Sequence, residues 1–190
     1  MNVGTKSLVF GVHNIFWHPL TVLLAWIWLY RHLPSWRELV CIIIHDWGYW
    51  GKPNMDGPEG EGHPEFAAKL AGRWLDNKSK SAYWEYYALC LFHSRHYSRI
   101  LDHEPSKLCW ADKASIKFDP WWLYLPRAML SGELKEYRRV SIVTGFMQPD
   151  CSNRYWYNWI RARQLKIAIA QRGDVVDYNQ SEEFLRNVKK

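Results

Sequence analysis

Apolar residues in this chain come in runs of helical length, separated by glycine, proline and polar clusters. Residues 20–30 (Leu-Thr-Val-Leu-Leu-Ala-Trp-Ile-Trp-Leu-Tyr) are apolar on every side and predict a central helix. Pro19 sits in its first turn, where a missing N–H costs nothing. Pro34 and Ser35 mark a break, after which residues 36–45 carry Leu39, Val40, Ile42, Ile43 and Ile44. The β-branched content there would also permit a strand. Helix is favoured, because nothing nearby resembles a hairpin or a βαβ partner. Residues 47–62 hold five glycines and two prolines and predict a long loop without helix. Loops of this length inside a domain are usually functional or disordered, and Trp47, Tyr49, Trp50 and Met55 favour a packed one. His63-Pro64-Glu65 opens the next helix, with Phe66, Ala67, Leu70, Ala71, Trp74 and Leu75 at helical spacing. Further helices are predicted over 81–93, 106–117, 121–130, 132–140 and 155–170. Arg172-Gly173-Asp174 ends the last of these, and Ser181 is placed to cap a short final helix. There is no internal repeat. The expectation is an all-α, single-domain helical bundle over 1–190, with the chemistry in 18–113 and helices from 121–190 packing on it.

Composition narrows the function. At 190 residues, 48% hydrophobic and 23% charged, the chain is long enough for one sizeable core. Thirteen tryptophans read mostly as packing. The stretch 8–30 lacks formal charge and is long enough to suggest a membrane span. His13, Asn14, His18 and Pro19 interrupt it and no small-residue cleavage site follows, so a buried helix and no membrane association are expected. Cys41, Cys90, Cys109 and Cys151 form no CxxC pair, which argues against a zinc knuckle or disulfide framework and for a reducing cytoplasm. A net charge of +6 suits an anionic partner. The basic residues are scattered, however. Arg161, Arg163 and Lys166 read as a solvated helix face, Lys189 and Lys190 as a tail. A small anionic substrate is therefore expected rather than nucleic acid. A homo-oligomer is left open.

An apolar run that ends in His45–Asp46 is unusual, because a buried carboxylate is normally paired or metal-bound. The plain alternative is a histidine ending a helix and an aspartate starting a loop. Other imidazoles and carboxylates stand in the same chain: His18 at a helix start, His63 at the head of the next helix, His93 at the end of another and Asp112 within a third. Mixed nitrogen and oxygen donors suit manganese, iron, cobalt, nickel, zinc or magnesium. A helical bundle can aim such groups at one point.

In order, His18…His45-Asp46…Asp112 resembles the H…HD…D signature of the HD-domain metal-dependent phosphohydrolase superfamily, and in particular its compact, nucleotide-cleaving phage and bacterial members. The resemblance spans 18–117, about half the chain. It includes His18-Pro-Leu-Thr-Val-Leu-Leu-Ala, Ile42-Ile-Ile-His-Asp-Trp-Gly and Ala111-Asp112-Lys113. It implies one divalent ion held by His18, His45, Asp46 and Asp112. A second ion would be held by Asp46, His63 and His93, as in two-metal members, with Asp46 bridging. It also implies hydrolysis of a phosphate ester of a nucleotide or related small molecule by metal-activated water, with Asp46 and Lys113 at the reacting centre. Lys52, Arg95 and Lys113 are the nearest cations for gripping the phosphate. His13 competes with His18 as first ligand.

The pattern departs from single-metal members at one point. Tyr49 stands where many of them carry a glutamate, so the carboxylate of that branch is either absent or supplied by Asp56, Glu59 or Glu61. Two other readings share the ligand set. One is a di-iron oxygenase from a small branch of the same superfamily. The other is a binding protein whose site has decayed.

Overall fold

The computed structural model describes residues 1–75 and 80–171. Among them it contains eleven α-helices, two 3-10 turns and no strand, as expected of an all-α bundle. Helix α1 (Val3–Phe10) leads into α2 (Trp17–Tyr30) and α3 (Trp36–Ile44). A 3-10 turn (Trp47–Tyr49) and α4 (Pro58–Glu61) precede α5 (Pro64–Leu75) and α6 (Lys80–Leu91). Then come α7 (Arg95–Ile100), α8 (Lys107–Ser115) and α9 (Trp121–Ser131), followed by α10 (Glu133–Val143) and α11 (Asn153–Gln171).

Several helix starts have a local cause. Ser35 and Glu38 close a capping box on α3: Glu38 N–H donates to Ser35 Oγ (3.3 Å) and Ser35 N–H to Glu38 Oε2 (2.7 Å). Ser94 and Ser106 cap α7 and α8 with their hydroxyls. The principal core lies where α2 packs on α8, α8 on α11, and α3 on α5 and α6. Trp26 is fully buried in this core, which also holds Ala67, Ala68, Ala71, Ala111 and Ala114. Trp156 and Tyr157 of α11 anchor a second cluster with Tyr124, Leu125, Ala128 and Leu134 from α9 and α10. Cys41, Cys90 and Cys109 are buried free thiols within the first cluster.

Several expectations need correction. Segment 47–62 is not purely loop: Pro58 at the first helical position and Glu59 and Glu61 in the first turn start α4 despite the glycines. This stretch is packed. Met55 is buried, Gly60 N–H donates to Asn54 Oδ1 (2.9 Å), and Glu136 of α10 accepts from the Met55 and Asp56 amides. Helices α1 and α7 had no counterpart in the hydrophobic pattern. Helix α2 is central but not buried all round, since Leu20 and Leu24 lie on an outer face. No helix among the described residues is long and apolar enough to cross a membrane. The expected stop at Arg172-Gly173-Asp174, the helix capped by Ser181 and the Lys189–Lys190 tail lie outside the described residues.

Candidate metal centre

Five helices deliver side chains to one buried point. His18 comes from the first turn of α2, and His45 and Asp46 from the end of α3. His63 immediately precedes α5, His93 follows α6 and Asp112 lies within α8. His18, His45, Asp46, His63 and His93 are all buried.

Three of these imidazoles also finish helices. The last carbonyls of a helix lack partners within it. His45 Nδ1 lies 2.8 Å from the Ile42 carbonyl of α3, and His63 Nδ1 2.8 Å from the Gly60 carbonyl of α4. His93 Nδ1 meets the Cys90 carbonyl of α6 in the same way. A carbonyl can only accept, so each Nδ1 carries the proton and each Nε2 presents a lone pair. This is the orientation a ligand histidine takes when an outer partner fixes its tautomer.

The lone pairs converge on Asp46. Its Oδ2 lies 3.1 Å from His18 Nε2 and 3.2 Å from His45 Nε2. Its Oδ1 lies 3.5 Å from His63 Nε2 and 3.6 Å from His93 Nε2. Asp112 Oδ1 completes the first group, 3.2 Å from His18 Nε2. One carboxylate therefore faces two imidazole pairs with its two oxygens. His18, His45 and Asp112 form one compact triad of donor atoms, and His45, Asp46 and His93 another.

Close contact here is not the same as hydrogen bonding. His18 Nε2, His45 Nε2 and Asp46 Oδ2 are buried and lack aligned partners. Buried polar atoms are seldom left so. His63 Nε2 and His93 Nε2 are 3.0 Å apart with both Nδ1 protons already committed. Two nitrogens about 2.1 Å from one ion and at a right angle would be about 3.0 Å apart. Donor chemistry and spacing both fit a divalent cation.

Electrostatics tell the same story. Burial holds the His45 imidazole below its usual range despite Asp46 beside it. Burial, reinforced by His93, holds His63 well below. Burial would raise both aspartates, but it is outweighed: His45, His13 and His18 hold Asp46 well below the carboxylate range, and Lys113 and His18 do so for Asp112. His18 is the exception. Burial opposes its charge, but Asp112 and Asp46 push it up to about 10, so the two carboxylates draw a proton there unless a metal supplies the charge.

Around the cluster is a cleft of about 1010 Å³. Arg95 and Lys113 line it, and Lys113 Nζ donates to Asp112 Oδ2 (2.8 Å). Lys52 does not line it; its backbone carbonyl accepts from the Gly4 amide in α1. Asp56 and Glu61 reach the cleft, whereas Glu59 is turned to Asn54. Tyr49 stacks on the His63 ring with centroids 3.8 Å apart.

Sequence reasoning missed the partner of His13. Its Nδ1 lies 2.9 Å from Glu133 Oε1, and Glu133 is completely buried at the start of α10. The ring packs edge-on to His18, with centroids 5.1 Å apart, and groups with His18 and Asp46. His13 is thus a neighbour of the cluster tied to its own carboxylate, and His18 is the residue between Asp46 and Asp112.

Gly48 positions His63. A Cβ at Gly48 would stand 2.0 Å from the His63 carbonyl oxygen. Gly48→Ala is expected to push the start of α5 away, costing about 1–3 kcal/mol in stability and about tenfold or more in metal affinity. Thermal melts and metal titrations would show both losses, and an unchanged affinity would remove His63 from the ligand set. Comparisons of the chain with protein-family models, with curated proteins and with solved structures return no match.

Proposed function

We propose that the cluster holds one or two divalent metal ions and that the chain is a metal-dependent phosphohydrolase acting on a phosphate ester of a nucleotide or related small molecule. The observation that carries this reading is Asp46, whose two oxygens face separate pairs of imidazole nitrogens at the base of a cleft bearing Arg95 and Lys113. His18, His45, Asp46 and Asp112 would hold one ion, and Asp46, His63 and His93 a second. Bound metal supplies Lewis acidity, acidifying water and drawing charge from phosphoryl oxygens.

The chain's own residues do the rest. Arg95 offers a planar fork and Lys113 a point charge to the phosphate. Hydrolysis forms a bond from a water oxygen to phosphorus and breaks the ester P–O bond. The leaving alcohol must gain a proton as the water loses one. His13, which lines the cleft, would move that proton. Glu133 occupies its Nδ1 and stabilises the imidazolium, leaving Nε2 as the exchanging atom.

The test begins with chelator-stripped protein reloaded separately with manganese, cobalt, iron, nickel, zinc or magnesium. A productive ion is expected to raise the melting temperature, by about 2.7 kcal/mol of stabilisation at a hundredfold excess over Kd. It should also release phosphate from some member of a panel of nucleoside mono-, tri- and cyclic phosphates under anaerobic conditions. Stabilisation by none of the ions would sink the metal site. Turnover only with iron and only with oxygen consumed would replace hydrolysis with oxidative cleavage.

A further inference from the structure

The cleft continues beyond the metal cluster along a wall built by α11. Trp159, Arg163 and Gln164 line it, with Phe146 from the preceding loop and Arg95 from α7. The Arg163 guanidinium sits 4.6 Å from the Phe146 ring centroid and 5.6 Å from that of Trp159. Those two rings are 5.7 Å apart, so the cation packs against both of them, which orders it in advance. Sequence reading placed Arg163 on a solvated face. Instead it is half-buried in the cleft, and Lys166 is the exposed member of that group.

Arg163 does not stand alone. Burial, and then the positive charge of Arg95, hold its guanidinium below the usual range. Arg95 also acts against the charge of Lys113, and all three cations line the one cleft. Lys113 is neutralised by Asp112. Neither Arg95 nor Arg163 forms an ion pair among the described residues, and the nearby Glu61 is paired with His96. Two guanidiniums that line one cleft without an ion-pair partner repel each other, and a bound anion converts that repulsion into charge-assisted hydrogen bonds; Asp102 and Glu104 line the same cleft but pair with neither.

We propose that Arg95 and Arg163 form an anion subsite for a phosphoryl group linked to, and beyond, the one held at the metal cluster, so that the substrate is an oligophosphate ester rather than a simple monophosphate. The substrate class rests on the phosphohydrolase reading, whereas the subsite itself can be tested without it.

The experiment is calorimetric titration of the whole chain in chelator at neutral pH, using inorganic orthophosphate, pyrophosphate and triphosphate. Triphosphate is expected to bind at least about tenfold more tightly than orthophosphate. Arg163→Gln and Arg95→Gln should each weaken triphosphate binding by about tenfold, and Arg163→Gln, which lies beyond the first phosphate, should weaken orthophosphate by less than about twofold. Arg163→Lys should restore part of the loss. The substitutions lie on different helices, so if Arg163→Gln disturbs its aromatic neighbours and lowers the melting temperature, Arg95→Gln still decides. Equal affinity for the three anions, or triphosphate binding indifferent to both substitutions, would overturn the subsite. Intact discrimination in a protein that hydrolyses no phosphate ester would overturn the phosphohydrolase reading alone. Turnover of monoesters without discrimination would overturn the subsite alone.

Discussion

Asp46→Ala is expected to abolish metal uptake and turnover together. The side chain serves both halves of the cluster: Oδ2 faces His18 and His45, and Oδ1 faces His63 and His93. Its removal takes away the shared anionic donor and leaves four imidazoles facing one another with only Asp112 to offset a cation. Turnover should fall by more than roughly a thousandfold, the scale reached when a group at the reacting centre is lost. The rise in melting temperature on adding metal should vanish as well. Asp46→Asn keeps the volume and removes the charge, so it separates coordination from packing. The measurements are metal content after dialysis, metal-dependent thermal shift and phosphate release. Retention of both metal and activity in Asp46→Ala would dispose of the site.

The second large effect concerns stability. Glu133 is completely buried and accepts from the Val12 amide (2.9 Å), Ser7 Oγ (2.7 Å), His13 Nδ1 (2.9 Å), Tyr137 Oη (3.1 Å) and Ser131 Oγ. It ties α1 and the turn before α2 to the start of α10. Glu133→Ala strands these donors and is expected to cost about 3–5 kcal/mol, the scale of breaking a buried pair from one side. Glu133→Gln should cost less, since it keeps one acceptor oxygen.

The pH dependence has a defined sign. Burial would raise the Glu133 carboxyl, but His13 and the Ser131 and Ser7 hydroxyls hold it below its usual value of 4.5. A depressed carboxyl contributes stability that is present above 4.5 and lost as pH falls through the lower folded value. Urea midpoints should therefore drop below pH 4.5 more steeply in the parent than in Glu133→Gln. Equal slopes would show that Glu133 is not ionised in the fold.

What the residue pattern made legible follows from how local each signal is. His45–Asp46 stood out because a carboxylate at the end of Ile42-Ile43-Ile44 has few solutions other than a counter-charge. The ladder of helices was legible because Ser35, Ser106 and the apolar spacing of α5 and α8 act within a turn or two. Glu133 was not legible. An acid at a helix start reads as a complement to the helix dipole, and only contacts more than a hundred positions away in sequence show it to be a buried partner. Arg163 was hidden for a similar reason. Its apolar support includes Trp159 one turn earlier, but the cleft it faces is made by other helices. Helix α4 was masked by its glycines, although Pro58 and the two glutamates were the sign of a start.

The backbone carbonyls that accept from His45, His63 and His93 have a consequence for metal exchange. The ring tautomers are set by main-chain groups at helix ends, which are in place once the helices form and do not depend on an incoming ion. A metal cage built this way is expected to fold before it is filled. Its metal content then follows the supply of cations around it, through the general order of divalent affinities, more than any coupling between binding and folding. One and the same folded chain would then carry different ions in different growth conditions, with catalytic rate, not structure, registering the change.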